Sequence, residues 1–129
     1  MKIGALSKTS GCSIQTIRYY EKEGLLRHPV RSEGNFRLYD TESLKELEFV
    51  KHCRSLDIPL SDIKRLIALK QNPKDSCSSV NELIDEQLEL VSRRINELKS
   101  LKASLQGMSR SCHESNMIED CGILKTLAE

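Results

Sequence analysis

Five cysteines, at positions 12, 53, 77, 112 and 121, are the residues of this 129-residue chain best equipped for chemistry. Thiolates are soft ligands, and three of them around a divalent ion leave a single net negative charge, which suits Cd(II), Pb(II) or Hg(II). Zn(II) prefers a tetrahedron of four ligands; here it would need His113, a carboxylate such as Glu114 or Glu119, or water to complete its shell. Cys77, Cys112 and Cys121 form the candidate set for a metal, with His113, next to Cys112, as a further candidate. Cys12 and Cys53 are expected as small buried hydrophobes, Cys12 in a turn and Cys53 on the inner face of a helix. His28 and His52 have no ligand partners at useful spacing.

These thiols are positioned by an amphipathic run from Ser76 to Met108, with Cys77 in its first turn and Cys112 and Cys121 just past its last. Ile84, Leu88, Val91, Ile95, Leu98 and Leu105 step by four and three in a heptad seam broken only at Lys102, and Leu83, Leu90 and Leu101 are expected to widen it. Such a helix would be a rod of roughly 50 Å, and its seam needs a partner, most simply a second copy. Cys77 and Cys112 are 35 residues apart and cannot share a ligand within one straight helix. In an antiparallel pair, Cys77 of one copy would meet Cys112 and Cys121 of the other. The heptads leave the order open; the thiols favour antiparallel if they act together.

The charge is uneven. Residues 1–70 carry 13 Lys+Arg against 9 Asp+Glu, and residues 71–129 carry 7 against 10. A basic front suits a polyanion and an acidic rear suits cations. The chain opens Met-Lys-Ile-Gly with no long apolar run, and no window is long enough to span a membrane. A reducing cytoplasmic setting is therefore expected, where clustered thiols bind metal or sense redox state more often than they form bridges. No His-Glu-x-x-His, nucleophile elbow or phosphate loop occurs, and no catalytic residue is assigned. The expectation is a protein that is not an enzyme.

At the front, Ile3 and Leu6 on a short helix, a turn at Thr9-Ser10-Gly11, and a second helix from about Ser13 to Glu23 read as helix-turn-helix. Ile14, Ile17 and Tyr20 are expected to dock on the first helix. Gln15, Thr16, Arg18, Tyr19 and Lys22 then look outward, a set able to meet phosphates and base edges in a major groove. A small hairpin is expected around Glu33-Gly34-Asn35, with Arg31 and Arg37 flanking its tip as a wing that grips DNA backbone. Asp40 caps a third helix to about Leu56, and a fourth runs from Ser61 to Lys70. The fold class is mainly α: a winged helix-turn-helix head (1–70), a linker (71–75), a long antiparallel coiled-coil dimerisation helix (76–108), and a metal-binding loop with a short helix (109–129). Ile123, Leu124 and Leu127 of that last helix are expected against the end of the rod.

With Thr16-Ile17-Arg18-Tyr19-Tyr20-Glu21, Gly24-Leu25-Leu26 and Asn35-Phe36-Arg37-Leu38-Tyr39, the sequence strongly resembles the MerR family of bacterial transcription regulators. The resemblance covers the whole chain. It implies DNA contacts from Thr16, Arg18, Tyr19, Tyr20, Arg37 and Tyr39, to which the pattern above adds Gln15, Lys22 and Arg31. It also implies a homodimer on double-stranded promoter DNA with an overlong spacer, which effector binding distorts so that RNA polymerase can engage both its elements. Cys77, Cys112 and Cys121 fall where the metal-sensing branch places its ligands, the first from the opposite protomer. The stretch from Asp75 to Glu86 is most similar to cadmium- and lead-responsive members. Mercury regulators share a similar three-cysteine spacing. Zinc regulators carry two adjacent cysteines and a later histidine, where this chain has Cys112-His113 and no later histidine. The alternatives are a Hg(II) or Zn(II) sensor of the same family, or a thiol-redox-responsive regulator.

Overall fold

The computed structural model describes every residue except 28 and 35, so His28 and the Asn35 position of the expected turn lie outside the described residues. The chain is mainly helical: α1 (Ile3–Ser10), α2 (Ile14–Lys22), a two-stranded antiparallel hairpin of β1 (Val30–Arg31) and β2 (Arg37–Leu38), α3 (Thr41–Ser55), α4 (Leu60–Lys70), α5 (Ser78–Arg110), a 3-10 turn at Ile118–Asp120, and α6 (Gly122–Leu127). It divides into two compact units, Met1–Leu83 and Ile84–Glu129. The first unit takes in residues 71–75 and the start of α5.

Local chemistry sets the boundaries in the first unit. Gly11 ends α1 at φ 76°, a left-handed conformation that costs glycine little, and its N–H donates to the Ser7 carbonyl. Lys51, on α3, reaches the last carbonyl of α1 and donates to Ser10 O at 2.7 Å, satisfying an acceptor that a helix end leaves open. Ser13 caps α2 by accepting from Thr16 N at 3.1 Å. Asp40 caps α3: its Oδ1 accepts from Ser43 N at 2.9 Å while the Asp40 N–H donates back to Ser43 Oγ. These bonds hold the Asp40 carboxyl below its ordinary range, the Ser43 amide contributing most.

Leu6, Ile17, Leu47, Val50, Ile63 and Leu83 are fully buried in one core, with Leu25, Leu26, Tyr39, Cys53 and Ile58 around them. Cys53 is buried and Cys12 half-buried against this core, and burial pushes the Cys53 thiol up. Two expectations are corrected. Ile14 is 37% exposed at the first position of α2 and does not dock with Ile17. Leu83 does not widen the rod's seam: the first turns of α5 fold with the head, where Leu83 and Val80 pack on the core.

From Ile84 onward α5 is open to solvent. Ile84, Leu88, Val91, Ile95, Leu98 and Leu105 are each 41% to 61% exposed, and Leu90 and Leu101 lie equally bare. At 1.5 Å per residue the 33 residues of this helix extend for roughly 50 Å. Among the described residues no helix is long and apolar enough to cross a membrane.

Candidate functional site

The thiol end is built by the return of the chain after α5. Ser111 closes the helix, its N–H and hydroxyl both donating to Met108 O, at 3.0 and 2.7 Å. Residues 112–117 turn back through Asn116 N donating to His113 O, and the 3-10 turn delivers Cys121 as the residue preceding α6. Gly122 makes this return possible, because a Cβ there would collide with the carbonyl oxygen of Ser111. Nothing in the sequence pattern marked Gly122; only the fold brings it against the end of α5.

Cys112 and Cys121 are both half-buried and share an open cleft of about 550 Å³ with His113, Glu114 and Asn116. Asn116 Nδ2 lies 3.9 Å from Cys112 Sγ, within donating distance of sulfur. The amide of Leu124 at the start of α6, then the neighbouring Cys112 side chain, hold the Cys121 thiol below its ordinary range. That favours the thiolate, the form that binds a metal. His113 is exposed and lines the cleft. Ile123 is half-buried, but Leu124 is 48% and Leu127 65% exposed, so the expected docking of all three on the rod does not hold for Leu124 and Leu127.

Cys77 stands apart from this cleft in sequence, at the other end of α5. It is exposed, and its carbonyl accepts the first bond of the helix from Asn81 N at 2.8 Å. Among the described residues no three Cys, His, Asp or Glu side chains converge into a metal site within the chain.

The other candidate surface lies on the head. Gln15, Arg18, Tyr19 and Lys22 are exposed on α2, and Thr16 is half-buried with its hydroxyl accepting from Ser13 Oγ at 2.8 Å. Tyr20 is half-buried against the core, its ring centroid 6.1 Å from that of Tyr19. In the wing Arg31 pairs in register with Arg37; Arg31 is exposed and Arg37 half-buried. The turn between the strands is held by Ser32 N donating to Phe36 O and Phe36 N to Ser32 Oγ, at 2.8 and 3.2 Å.

Tyr39 is different. It is 4% exposed, and its hydroxyl donates to the buried carboxylate of Glu21. This residue, expected among the DNA contacts, is thus buried, with its phenol facing inward. Burial, then the bond to Glu21, pushes the Tyr39 phenol up to about 12. Glu21 and Lys51, neither singled out in the sequence, are single polar residues on helices whose partners lie 18 and 41 residues away.

Comparison with known proteins adds an independent line. The description "MerR HTH family regulatory protein" matches residues 1–70, and "MerR, DNA binding" matches residues 44–108. The chain is 47% identical to the ZntR homologue of Haemophilus influenzae over 81% of its own length and 78% of that protein. It is 37% identical to the ZntR transcriptional regulator of Escherichia coli K12 over 99% of its own length and 92% of the relative. Among solved structures it resembles the transcription regulator PbrR691 of Ralstonia metallidurans CH34 in complex with lead(II), at 43% identity and TM-score 0.91, over 98% of both chains.

Proposed function

The chain belongs to the MerR family of HTH regulatory proteins, and from that premise we propose that it is a metal-responsive transcription regulator. It acts as a homodimer on promoter DNA, with Cd(II) or Pb(II) as its preferred effector. The observation that carries the reading is the pairing of Cys112 with Cys121 in one open cleft, with a third exposed thiol, Cys77, at the other end of the same helix. Two thiols per chain make an incomplete site for a soft ion. The partner's Cys77 completes it if the two rods lie antiparallel, so each dimer holds two sites. The lead(II) complex of PbrR691, 43% identical to this chain, supports the choice of a large soft ion.

The donor set fits such a guest. Cys121 is biased toward its thiolate, Asn116 steadies Cys112, and the cleft is open enough to admit a hydrated ion. When bound, the ion supplies a cross-link between thiolates of two chains. The residues around it do the rest: Gly122 holds α6 close to Ser111, and Asn72-Pro73-Lys74 joins Cys77 to its own head. A bridge from Cys112 and Cys121 to the partner's Cys77 therefore biases the partner's head, and the dimer selects a bent and untwisted promoter that RNA polymerase can use. On the head, Gln15, Thr16, Arg18, Tyr19 and Lys22 of α2 and Arg31 and Arg37 of the wing face the DNA, with the aromatic edge of Tyr20 beside them. The protein works in the cytoplasm, where its thiols stay reduced.

The test is an anaerobic titration with Cd(II) and Pb(II), followed by reporter assays across Cd(II), Pb(II), Hg(II) and Zn(II). Thiolate-to-metal charge-transfer absorption is expected, saturating at one ion per chain. Cys77→Ser, Cys112→Ser and Cys121→Ser are each expected to abolish induction and to retain operator binding. Induction retained in Cys77→Ser sinks the cross-protomer ligand, and absent charge-transfer bands favour the thiol-redox reading, in which Cys112 and Cys121 form a disulfide. His113→Ala separates the metals, weakening Zn(II) response more than Pb(II) response if His113 completes a tetrahedron.

A further inference from the structure

Glu21 sits on the inward face of α2, the helix whose outward face carries Arg18, Tyr19 and Lys22, and it is only 5% exposed. A buried carboxylate is costly unless both its oxygens find donors. Here one oxygen accepts a hydrogen bond and the other lies in an ion pair, and both partners come from the wing side of the head. Oε1 accepts from the Tyr39 hydroxyl, and Oε2 lies 3.6 Å from Arg37 Nη1. Tyr39 follows β2 directly, and its backbone N–H donates to Met1 O at 2.7 Å, which fixes where the strand leaves the hairpin. Arg37 lies on β2 opposite Arg31. β1 and β2 contribute two residues each and bury none of their side chains, so the hairpin has little apolar contact to hold it.

We infer that Glu21 is a positioning residue that fastens the wing to α2, so that both reach DNA at a fixed separation and angle. The inference rests on the reading of α2 and the wing as the DNA-contacting surface. Glu21 itself never touches DNA. Its carboxylate holds Tyr39 in place through one oxygen and pairs with the Arg37 guanidinium through the other, and the Arg37 side chain stays 33% exposed. A short hairpin fixed in this way presents its phosphate contacts at a set distance from the groove-reading face of α2. Released, it would sample many angles, and the contacts would cost ordering entropy on binding.

The chemistry separates the two arms. In Glu21→Gln the amide oxygen still accepts from Tyr39, but the charge that pairs with Arg37 is gone. In Tyr39→Phe the hydroxyl bond is lost, while the ring volume and the Arg37 pair remain. Glu21→Leu removes both.

The experiment uses the full-length protein and an operator duplex selected by that protein from a random-sequence pool. It reads phosphate-ethylation interference alongside affinity, with circular dichroism and the melting midpoint as checks on folding. Glu21→Gln and Tyr39→Phe are each expected to weaken binding about tenfold, and Glu21→Leu more. Interference should vanish at the phosphates that Arg31→Ala and Arg37→Ala identify as wing contacts, and persist at those that Arg18→Ala identifies as contacts of α2. Tyr39→Phe decides the matter if either Glu21 variant fails to fold. The inference is overturned if wing interference survives in folded variants, or if wing and α2 interference decline together in proportion to lost helicity. An absence of any wild-type interference overturns the underlying DNA reading, and this inference with it.

Discussion

A phenol packed beside a carboxylate gives up its proton late. Tyr39 ionises at about 12 against an ordinary 10.0, because burial and then Glu21 disfavour a second negative charge. The sign follows from the favoured form: protonated Tyr39 stabilises the head fully below pH 10, and that contribution is lost as the pH rises through about 12. Difference absorbance near 295 nm between the wild type and Tyr39→Phe should therefore show one phenolate appearing with a midpoint near 12. A midpoint near 10 would mean that Tyr39 is not held as described. Cys53 and Cys12 were legible as quiet hydrophobes from the helical spacing and the turn around them. The inward aim of Tyr39 was not, because its motif identifies a residue type in a wing but not the side chain's partner. That partner is 18 residues away on another element, and no periodicity records it.

Elements were most legible where a cap is written in neighbouring residues. Ser13 before α2, Gly11 after α1 and Asp40 before α3 all act through bonds spanning four residues or fewer, so the sequence contains both partners. Leu83 shows the opposite case. Its heptad position is compatible with the seam, yet the head claims it, because the first turns of α5 offer their apolar face to a core only long-range packing creates. Gly122 carries the sharpest prediction at this scale. Gly122→Ala must push α6 away from the Ser111 carbonyl, at a cost of about 1–3 kcal/mol of local overpacking. Metal affinity measured by competition with a chromophoric chelator should fall, while operator binding stays at the wild-type level. Unchanged metal affinity would show that the spacing of Cys112 and Cys121 does not depend on this close approach.

On the scale of the molecule, the governing feature is the bare stripe along α5, where eight large apolar residues from Ile84 to Leu105 face solvent in a single chain. A carboxylate placed in that stripe must be desolvated whenever two copies pair, so Leu98→Glu should weaken self-association at least about 100-fold. Sedimentation equilibrium is the direct measurement, and the melting midpoint should become more dependent on concentration. Glu97→Ala, on the wet side of the pattern, should leave the dimer intact. Equal effects from the two substitutions would remove the seam as the dimer contact. The length and period of this stripe were plain in the sequence because heptads are a local signal. Its N-terminal limit was not, since the head takes over the first turns of the helix. The same stripe has a consequence before any promoter is reached. A freshly translated chain exposes a sticky edge of the kind that proteases and chaperones engage, so the unpaired form is expected to be the vulnerable one. The stock of paired regulator is then expected to rise more steeply than synthesis, because pairing covers the edge that a lone chain leaves open.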